Sequence, residues 1–156
     1  MFDTMPTLFF LTAGCGEASR ELNAFDAALL DAGVGDTNLI KMSSILPPGV
    51  KEIERIPLKK GSFVPLAYGE RTSDFPGVQI SAAVAVGIPE DPLEAGLIME
   101  FSHEGDPESC ESIARDMVKE GMEVIRKRKL LEIKSISASL KVSKVGAVFA
   151  AVVLCH

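Results

Sequence analysis

The chain has 156 residues, 47% of them apolar and 24% charged, the balance of one ordinary globular domain able to bury a core without disulfides or a structural metal. Sixteen Lys and Arg against 22 Asp and Glu leave a net charge of −6, which argues against non-specific nucleic-acid binding and mildly favours a cationic small molecule. Three cysteines, Cys15, Cys110 and Cys155, form no framework and fit a reducing cytoplasm. The opening residues lack the pattern of a secretory leader, and the apolar run 146–155 is about half of the ~20 residues a membrane helix needs, so no membrane association is expected.

Residues 7–13 are a compact apolar run ending in Gly14-Cys15-Gly16, which predicts a strand entering a tight loop. Leu22, Phe25 and Leu29 then recur at helical spacing, with Ser19 or Asn23 available to cap the start and Gly33 and Gly35 to stop it. Residues 38–42 predict a second strand that runs into Ser43-Ser44 and is halted by Pro47-Pro48-Gly49. Residues 51–60 have no firm period and read as a surface connection. Strands are predicted over 63–68, 78–88 and 93–101, separated by Pro76-Gly77 and by Pro89-Glu90-Asp91-Pro92.

A long helix follows, with Asp106 as N-cap, Pro107 at its first position and Ile113, Met117, Gly121 and Val124 on one face. The basic run Arg126-Lys127-Arg128-Lys129 falls at its end, where cations complement the carbonyl pole of the helix. Two strands close the chain, 131–142 and the nearly all-apolar 145–154, the second expected at the centre of a sheet and joined to the first by a hairpin at Ser143-Lys144. Helices do not alternate with strands, which disfavours a doubly wound sheet. The order predicts an α+β fold, a layered αββα-type sandwich of mostly antiparallel strands with helices on the outside, in a single domain.

Familiar catalytic constellations are missing. With only His103 and His156, no metal site at recognised spacing can be written, and no Ser-His-Asp arrangement surrounds His103, which reads as an exposed loop residue beside Glu104-Gly105-Asp106. Neither a Walker loop nor a dinucleotide fingerprint is present. The segment Asn38-Leu39-Ile40-Lys41-Met42-Ser43-Ser44-Ile45-Leu46-Pro47-Pro48 stands out, because a hydroxyl pair ends an apolar strand. Two small polar residues can simply cap a turn before the prolines. They can also support self-cleavage: the Ser44 hydroxyl attacks the Ser43 carbonyl, the amide becomes an ester, and β-elimination followed by hydrolysis leaves a pyruvoyl group. An amide is a poor electrophile, so that route calls for a strained peptide and a donor, such as an Asn amide, at the developing oxyanion.

This segment, together with Leu22-Asn23-Ala24-Phe25-Asp26, Pro65-Leu66-Ala67-Tyr68-Gly69 and Gly96-Leu97-Ile98-Met99-Glu100, resembles the pyruvoyl-dependent arginine decarboxylases, and the resemblance runs from residue 22 to residue 154. Cys15 departs from it, standing where the resemblance leads one to expect Ser. The resemblance implies a precursor cut between Ser43 and Ser44 into residues 1–43 and 44–156, the second headed by a pyruvoyl group derived from Ser44. It further implies that Asn38 assists processing, that Glu100 is the proton donor and that Asp26 receives the substrate guanidinium. The product would be agmatine, made from arginine with loss of CO2 in polyamine biosynthesis, by a cytoplasmic homotrimer whose sites lie between subunits.

Read without the resemblance, each of these residues has a plainer account. Asn38 is a strand-end turn residue, Glu100 a strand-edge surface residue, and Asp26 the completion of a capping arrangement with Asn23. Glu100 nonetheless sits among Leu97, Ile98, Met99 and Phe101, where partial desolvation would raise its pKa toward that of a useful acid. A carboxylate at Asp26 would suit a planar guanidinium, which donates two parallel hydrogen bonds. No pyridoxal-lysine motif is recognisable, although Lys41 beside the cut keeps that alternative open. Decarboxylation of another amino acid, such as histidine, and a non-cleaving, non-enzymatic paralogue are the competing readings; intact Ser43, Ser44 and Asn38 argue against the second.

Overall fold

The structure, a computed structural model, describes residues 4–156; residues 1–3, on which part of the leader reading rests, lie outside it. Among the described residues, nine strands and two α-helices are arranged in four layers, helix, sheet, sheet, helix. One sheet contains β1 (Leu8–Ala18), β2 (Asn38–Lys41), β4 (Lys51–Glu52), β5 (Phe63–Ser73) and β9 (Val145–Cys155), in the order β2-β5-β9-β1-β4. The other contains β3 (Ile45–Leu46), β6 (Gln79–Pro89), β7 (Gly96–Glu104) and β8 (Leu130–Lys141), in the order β3-β7-β6-β8. Among the described residues only β1 with β4 and β2 with β5 run parallel. The αββα sandwich is therefore as the element order predicts.

Alternation along the strands builds three apolar layers. Val148, Ala150, Val152 and Leu154 of β9 face the second sheet and meet Ile80, Ala82, Val84 and Val86 of β6 there. The intervening Ala147, Phe149, Ala151 and Val153 face helix α1 (Glu21–Asp31), while Ala83 and Ala85 of β6 face helix α2 (Pro107–Lys119). Strand β9 is covered on both sides, which is why its sequence is apolar without alternation, and it lies at the centre of its sheet as expected.

Several expectations are corrected, and most share one cause. Gly14 and Gly16 do not turn the chain: β1 continues through Ala18, paired with β9 throughout. The glycines instead let α1 approach the sheet, since a methyl at Gly14 would lie 2.5 Å from the Ala28 carbonyl oxygen and one at Gly16 2.6 Å from Ala27 Cβ. Such close packing requires a small-residue face, so α1 buries Ala24 and Ala28, with Phe25 and Leu29 of the expected stripe packed at its margin and Leu22 77% exposed. Neither Ser19 nor Asn23 caps this helix; its N-cap is Arg20, which makes no side-chain capping bond.

Helix α2 likewise buries Cys110, Ala114 and Val118, with Met122 beyond them, whereas Ile113 and Val124 are exposed. Its predicted start is as expected, with the Asp106 carboxylate accepting from the Ser109 N–H at 2.7 Å ahead of Pro107. A π-helical segment, Glu120–Ile125, carries it into the basic run, where Arg126 Nη1 donates to the Gly121 carbonyl at 3.1 Å. His103 is in β7 and half-buried rather than in a loop, its Nε2 2.9 Å from the Asp106 carbonyl oxygen.

Residues 51–60 are a surface connection except for β4, and β5 outruns its predicted end by five residues, reaching Ser73. No hairpin joins β8 to β9. The two strands belong to different sheets, and Ser143-Lys144 is a corner between them at which the Glu17 carboxylate accepts both backbone N–H groups. Those hydrogen bonds, that from Ser143 foremost, hold the Glu17 carboxyl below the usual carboxylate range.

The close approach of α1 sets a first test. Gly14→Ala is expected to lower stability by about 1–3 kcal/mol through overpacking against Ala28 and Ala32, read as an earlier midpoint in urea denaturation. An unchanged midpoint would mean that the helix shifts freely over β1.

Candidate active site

The serine pair lies where the chain changes sheets. Met42 N–H still donates to the Leu66 carbonyl of β5, at 2.8 Å, but two residues later the Ser44 carbonyl accepts from Ile98 N–H of β7, at 2.7 Å. Ile45 and Leu46 then pair with Leu97 and Gly96 as the short strand β3. Ser43 is exposed and Ser44 half-buried, so the peptide between them bridges the edge of the sandwich. The strain that self-cleavage calls for does not take the form of a left-handed backbone: among the described residues Lys127 is the only non-glycine with positive φ, at 53°.

Glu100 stands two residues beyond Ile98 in the direction of the chain, on the same face of β7. That face looks into the layer between the sheets, while Leu97, Met99 and Phe101 look toward α2. Room for the side chain comes from Gly69 of β5, where a methyl would come within 3.1 Å of Glu100 Cβ and 3.3 Å of the Ala83 carbonyl oxygen. Glu100 Oε2 is buried and has no hydrogen-bond partner among the described residues. Burial pushes the carboxyl above the usual carboxylate range, and the positive charge of Lys41 opposes that rise.

Lys41 itself, the last residue of β2, places Nζ 4.4 Å from the centroid of the Tyr68 ring. Tyr68 is fixed by Phe149 and Phe25, with centroids at 5.1 and 6.4 Å. The structure thus sets Glu100 against Gly69 in the layer between the sheets and Lys41 against Tyr68 on the α1 side of the first sheet, with Ser44 at the crossing from one sheet to the other. Sequence reasoning gave neither Tyr68 nor Gly69 a role; the signal was there, as a glycine inside an apolar strand segment marks a close approach.

Asn38 and Asp26 are not gathered to this edge. Asn38 is exposed at the opposite end of β2, its Nδ2 donating to the Gly61 carbonyl at 3.0 Å. Asp26 is exposed on α1, across the first sheet from the layer that holds Glu100, and makes no ion pair among the described residues. Lying at the sixth position of α1, it plays no part in a cap. Two hollows flank the edge: one of about 310 Å³ lined by Glu21, Leu22, Phe25, Tyr68, Glu70 and Thr72, and an apolar one of about 270 Å³ that includes Met42, Phe63, Pro65 and Leu154.

The unpartnered Glu100 carboxyl has a consequence for stability. Because its folded-state pKa is raised, the folded chain keeps the proton to higher pH than the unfolded chain does. The associated stability is full below the unfolded pKa and is lost as pH rises through the folded one. In a Ser44→Ala background, Glu100→Gln is expected to raise Tm by a few degrees near pH 8 and to make little difference near pH 4, as read by scanning calorimetry. A shift that is the same at both pH values would count against a desolvated carboxyl.

Comparison with known proteins bears directly on this edge. The family model for pyruvoyl-dependent arginine decarboxylases matches residues 8–156, from the first residue of β1 to the end of the chain. Curated proteins of that name are similar along nearly the whole chain. That of Methanocaldococcus jannaschii is 46% identical over 155 residues, covering 97% of this chain and 92% of its own length. That of Methanococcus aeolicus is 45% identical over 151 residues, 97% and 91%, and that of Pyrococcus abyssi 42% identical over 154 residues, 97% and 96%. A serine pair set at a sheet crossing beside a desolvated carboxyl, within a match of this length, places the chain in the pyruvoyl-dependent arginine decarboxylase family.

Proposed function

We propose that the chain cuts itself between Ser43 and Ser44 and, with the pyruvoyl group formed from Ser44, converts L-arginine to agmatine and CO2. The observation that carries this reading is the hydrogen bond from Ile98 to the Ser44 carbonyl, which fixes the serine pair on the strand that bears Glu100, two residues from a buried carboxyl oxygen without a partner. Ser44 is the one residue of the edge that can yield the cofactor: its hydroxyl attacks the Ser43 carbonyl, and the C–N bond gives way to an ester. β-Elimination then expels Ser43 as a free carboxylate, and hydrolysis of the remaining enamine releases ammonia. When formed, the pyruvoyl carbonyl supplies an electron sink that allows a substrate α-carboxylate to leave as CO2.

The chain's own groups do the rest. Glu100, whose protonated form burial favours, gives its proton to the carbon from which CO2 has left, and the apolar layer behind it disfavours competing water. Asp26 offers a guanidinium two parallel hydrogen bonds. Since Asp26 and Asn38 face away from Ser44 of their own chain, they act on the site of a neighbouring subunit in a homotrimer of processed protomers. The apolar hollow at Met42 and the 71% exposed Phe63 support a subunit contact beside the cut. The described residues contain no helix long and apolar enough to cross a membrane, and we place the enzyme in the cytoplasm, at the entry to polyamine biosynthesis.

Two measurements test this. Intact mass of the purified protein is expected to give two fragments ending and beginning at residues 43 and 44, the larger blocked to N-terminal sequencing and reactive toward a hydrazine, while Ser44→Ala stays whole. An uncut wild-type chain after long incubation would favour the non-cleaving reading. Asp26→Asn is expected to cleave normally and to lose roughly tenfold or more in kcat/KM for arginine, as a charge-assisted pair is lost. An unchanged value would point to a different amino acid, histidine among them.

A further inference from the structure

The proposed cut breaks the bond on the amino side of Ser44 and leaves the Ser44 carbonyl, and its peptide to Ile45, intact. That carbonyl already has a partner, since Ile98 N–H of β7 donates to it at 2.7 Å. Both groups belong to the fragment 44–156, so cleavage removes no atom of this hydrogen bond. The carbonyl is also held from its carboxyl side alone. Ile45 and Leu46 pair with Leu97 and Gly96, and Leu46 is buried between the sheets, so close to Gly96 that a methyl there would lie 3.1 Å from its Cβ. The fragment that ends at Ser43 is tied elsewhere, by Met42 N–H to the Leu66 carbonyl of β5.

Once Ser44 has become the pyruvoyl group, this oxygen is no longer that of an ordinary peptide. Its carbon adjoins the keto carbon, which takes up the substrate nitrogen with loss of water. When the bond to the substrate carboxylate breaks, CO2 leaves without the bonding electron pair. The pair is delocalised from the substrate carbon, through the nitrogen and the former keto carbon, onto the Ser44 carbonyl oxygen, and it returns to form a C–H bond when Glu100 delivers its proton. We infer that the Ile98 N–H is a catalytic group of the proposed reaction, a backbone donor that stabilises the negative charge arriving on the Ser44 carbonyl oxygen. A donor fixed by strand pairing at 2.7 Å needs no rearrangement as that charge develops, and its bond strengthens as the acceptor becomes anionic. Glu100 follows two residues later on the same strand, so one stretch of β7 both receives the charge and supplies the proton that discharges it.

This inference rests on the proposed function, and its test tells the two apart. In processed enzyme made with serine carrying carbon-13 at its carbonyl carbon, the Ser44 carbonyl has an NMR resonance of its own, because it adjoins a ketone. Ile98 is replaced by its α-hydroxy acid counterpart, which turns the amide into an ester and removes the N–H while keeping the side chain. The same replacement at Ile53 is the control: its N–H donates to the Phe9 carbonyl at 2.8 Å beside β4, at the opposite edge of the first sheet from β2. The ester at 98 is expected to move the resonance upfield and to lower kcat per processed site roughly a hundredfold with KM little changed, and the ester at 53 to do neither. A resonance that stays in place, or a kcat that falls no further than in the Ile53 control, overturns the inference. So does a missing coupling across the hydrogen bond, between nitrogen-15 of Ile98 and the Ser44 carbonyl carbon, in processed enzyme of unaltered sequence, a measurement that needs no ester chain to fold. The expected shift and coupling, found with another amino acid turned over in place of arginine, would keep the donor and sink the choice of substrate. A wild-type chain that stays uncut would sink the self-cleavage reading, and the inference with it.

Discussion

Two backbone hydrogen bonds, Met42 to Leu66 and Ile98 to Ser44, pull consecutive stretches of chain toward opposite sheets within two residues. The arrangement of the active edge depends on that crossing. Without it the serine pair would continue along β5 or trail into the proline turn, and nothing would hold Ser44 against the strand that carries Glu100. The crossing also needs the sandwich to be thin at this point, and Gly69 supplies the thinness: one glycine on β5 leaves a space that the Glu100 side chain fills. On the proposed function, self-cleavage, proton donation and the packing of the two sheets are served by the same few residues.

A carboxyl in this position illustrates how a fold favours the protonated form of an acid. The interior layer raises the cost of its charge, while a single cation at the rim limits that cost.

Much of the architecture was legible in the sequence because it follows from alternation and capping: the doubly covered β9, the Asp106-Pro107 helix start and the layered α+β order are all found. Both helix faces were misread in part for one physical reason, the closeness of each helix to its sheet. The stripes drawn through Leu22, Phe25 and Leu29 and through Ile113, Met117, Gly121 and Val124 are only partly right: Phe25 and Leu29 pack at the margin of the core and Gly121 is buried, but the close contact is made by Ala24 and Ala28 and by Cys110, Ala114 and Val118, and Leu22, Ile113 and Val124 turn outward. The same closeness makes Gly14 and Gly16 look like a turn. At the site, Ser43, Ser44 and Glu100 could be singled out by chemistry and by resemblance. Gly69 carried a local signal, a glycine inside a strand, but that the approach it marks is to Glu100 depends on β5 and β7 meeting across the layer, which no local pattern encodes. Asn38 and Asp26 carried family roles, but their positions away from Ser44 are a matter of three-dimensional arrangement that only the fold reveals.

Strand β1 has a consequence of another kind. It belongs to the piece of chain before the serine pair, yet it is zipped to β9 over eleven consecutive register pairs, and α1 is clamped beneath both. A protein severed between residues 43 and 44 would therefore stay in one piece while folded, and its two fragments would drift apart only on unfolding. Denaturation of the mature form then changes molecularity, from one particle to several, so its thermal midpoint depends on protein concentration while that of an uncut chain carries no such contribution from the cut. The severed protein is also one that cannot easily be rebuilt after it comes apart, because β9 keeps β5 within its own fragment but regains β1 only when the two fragments find each other.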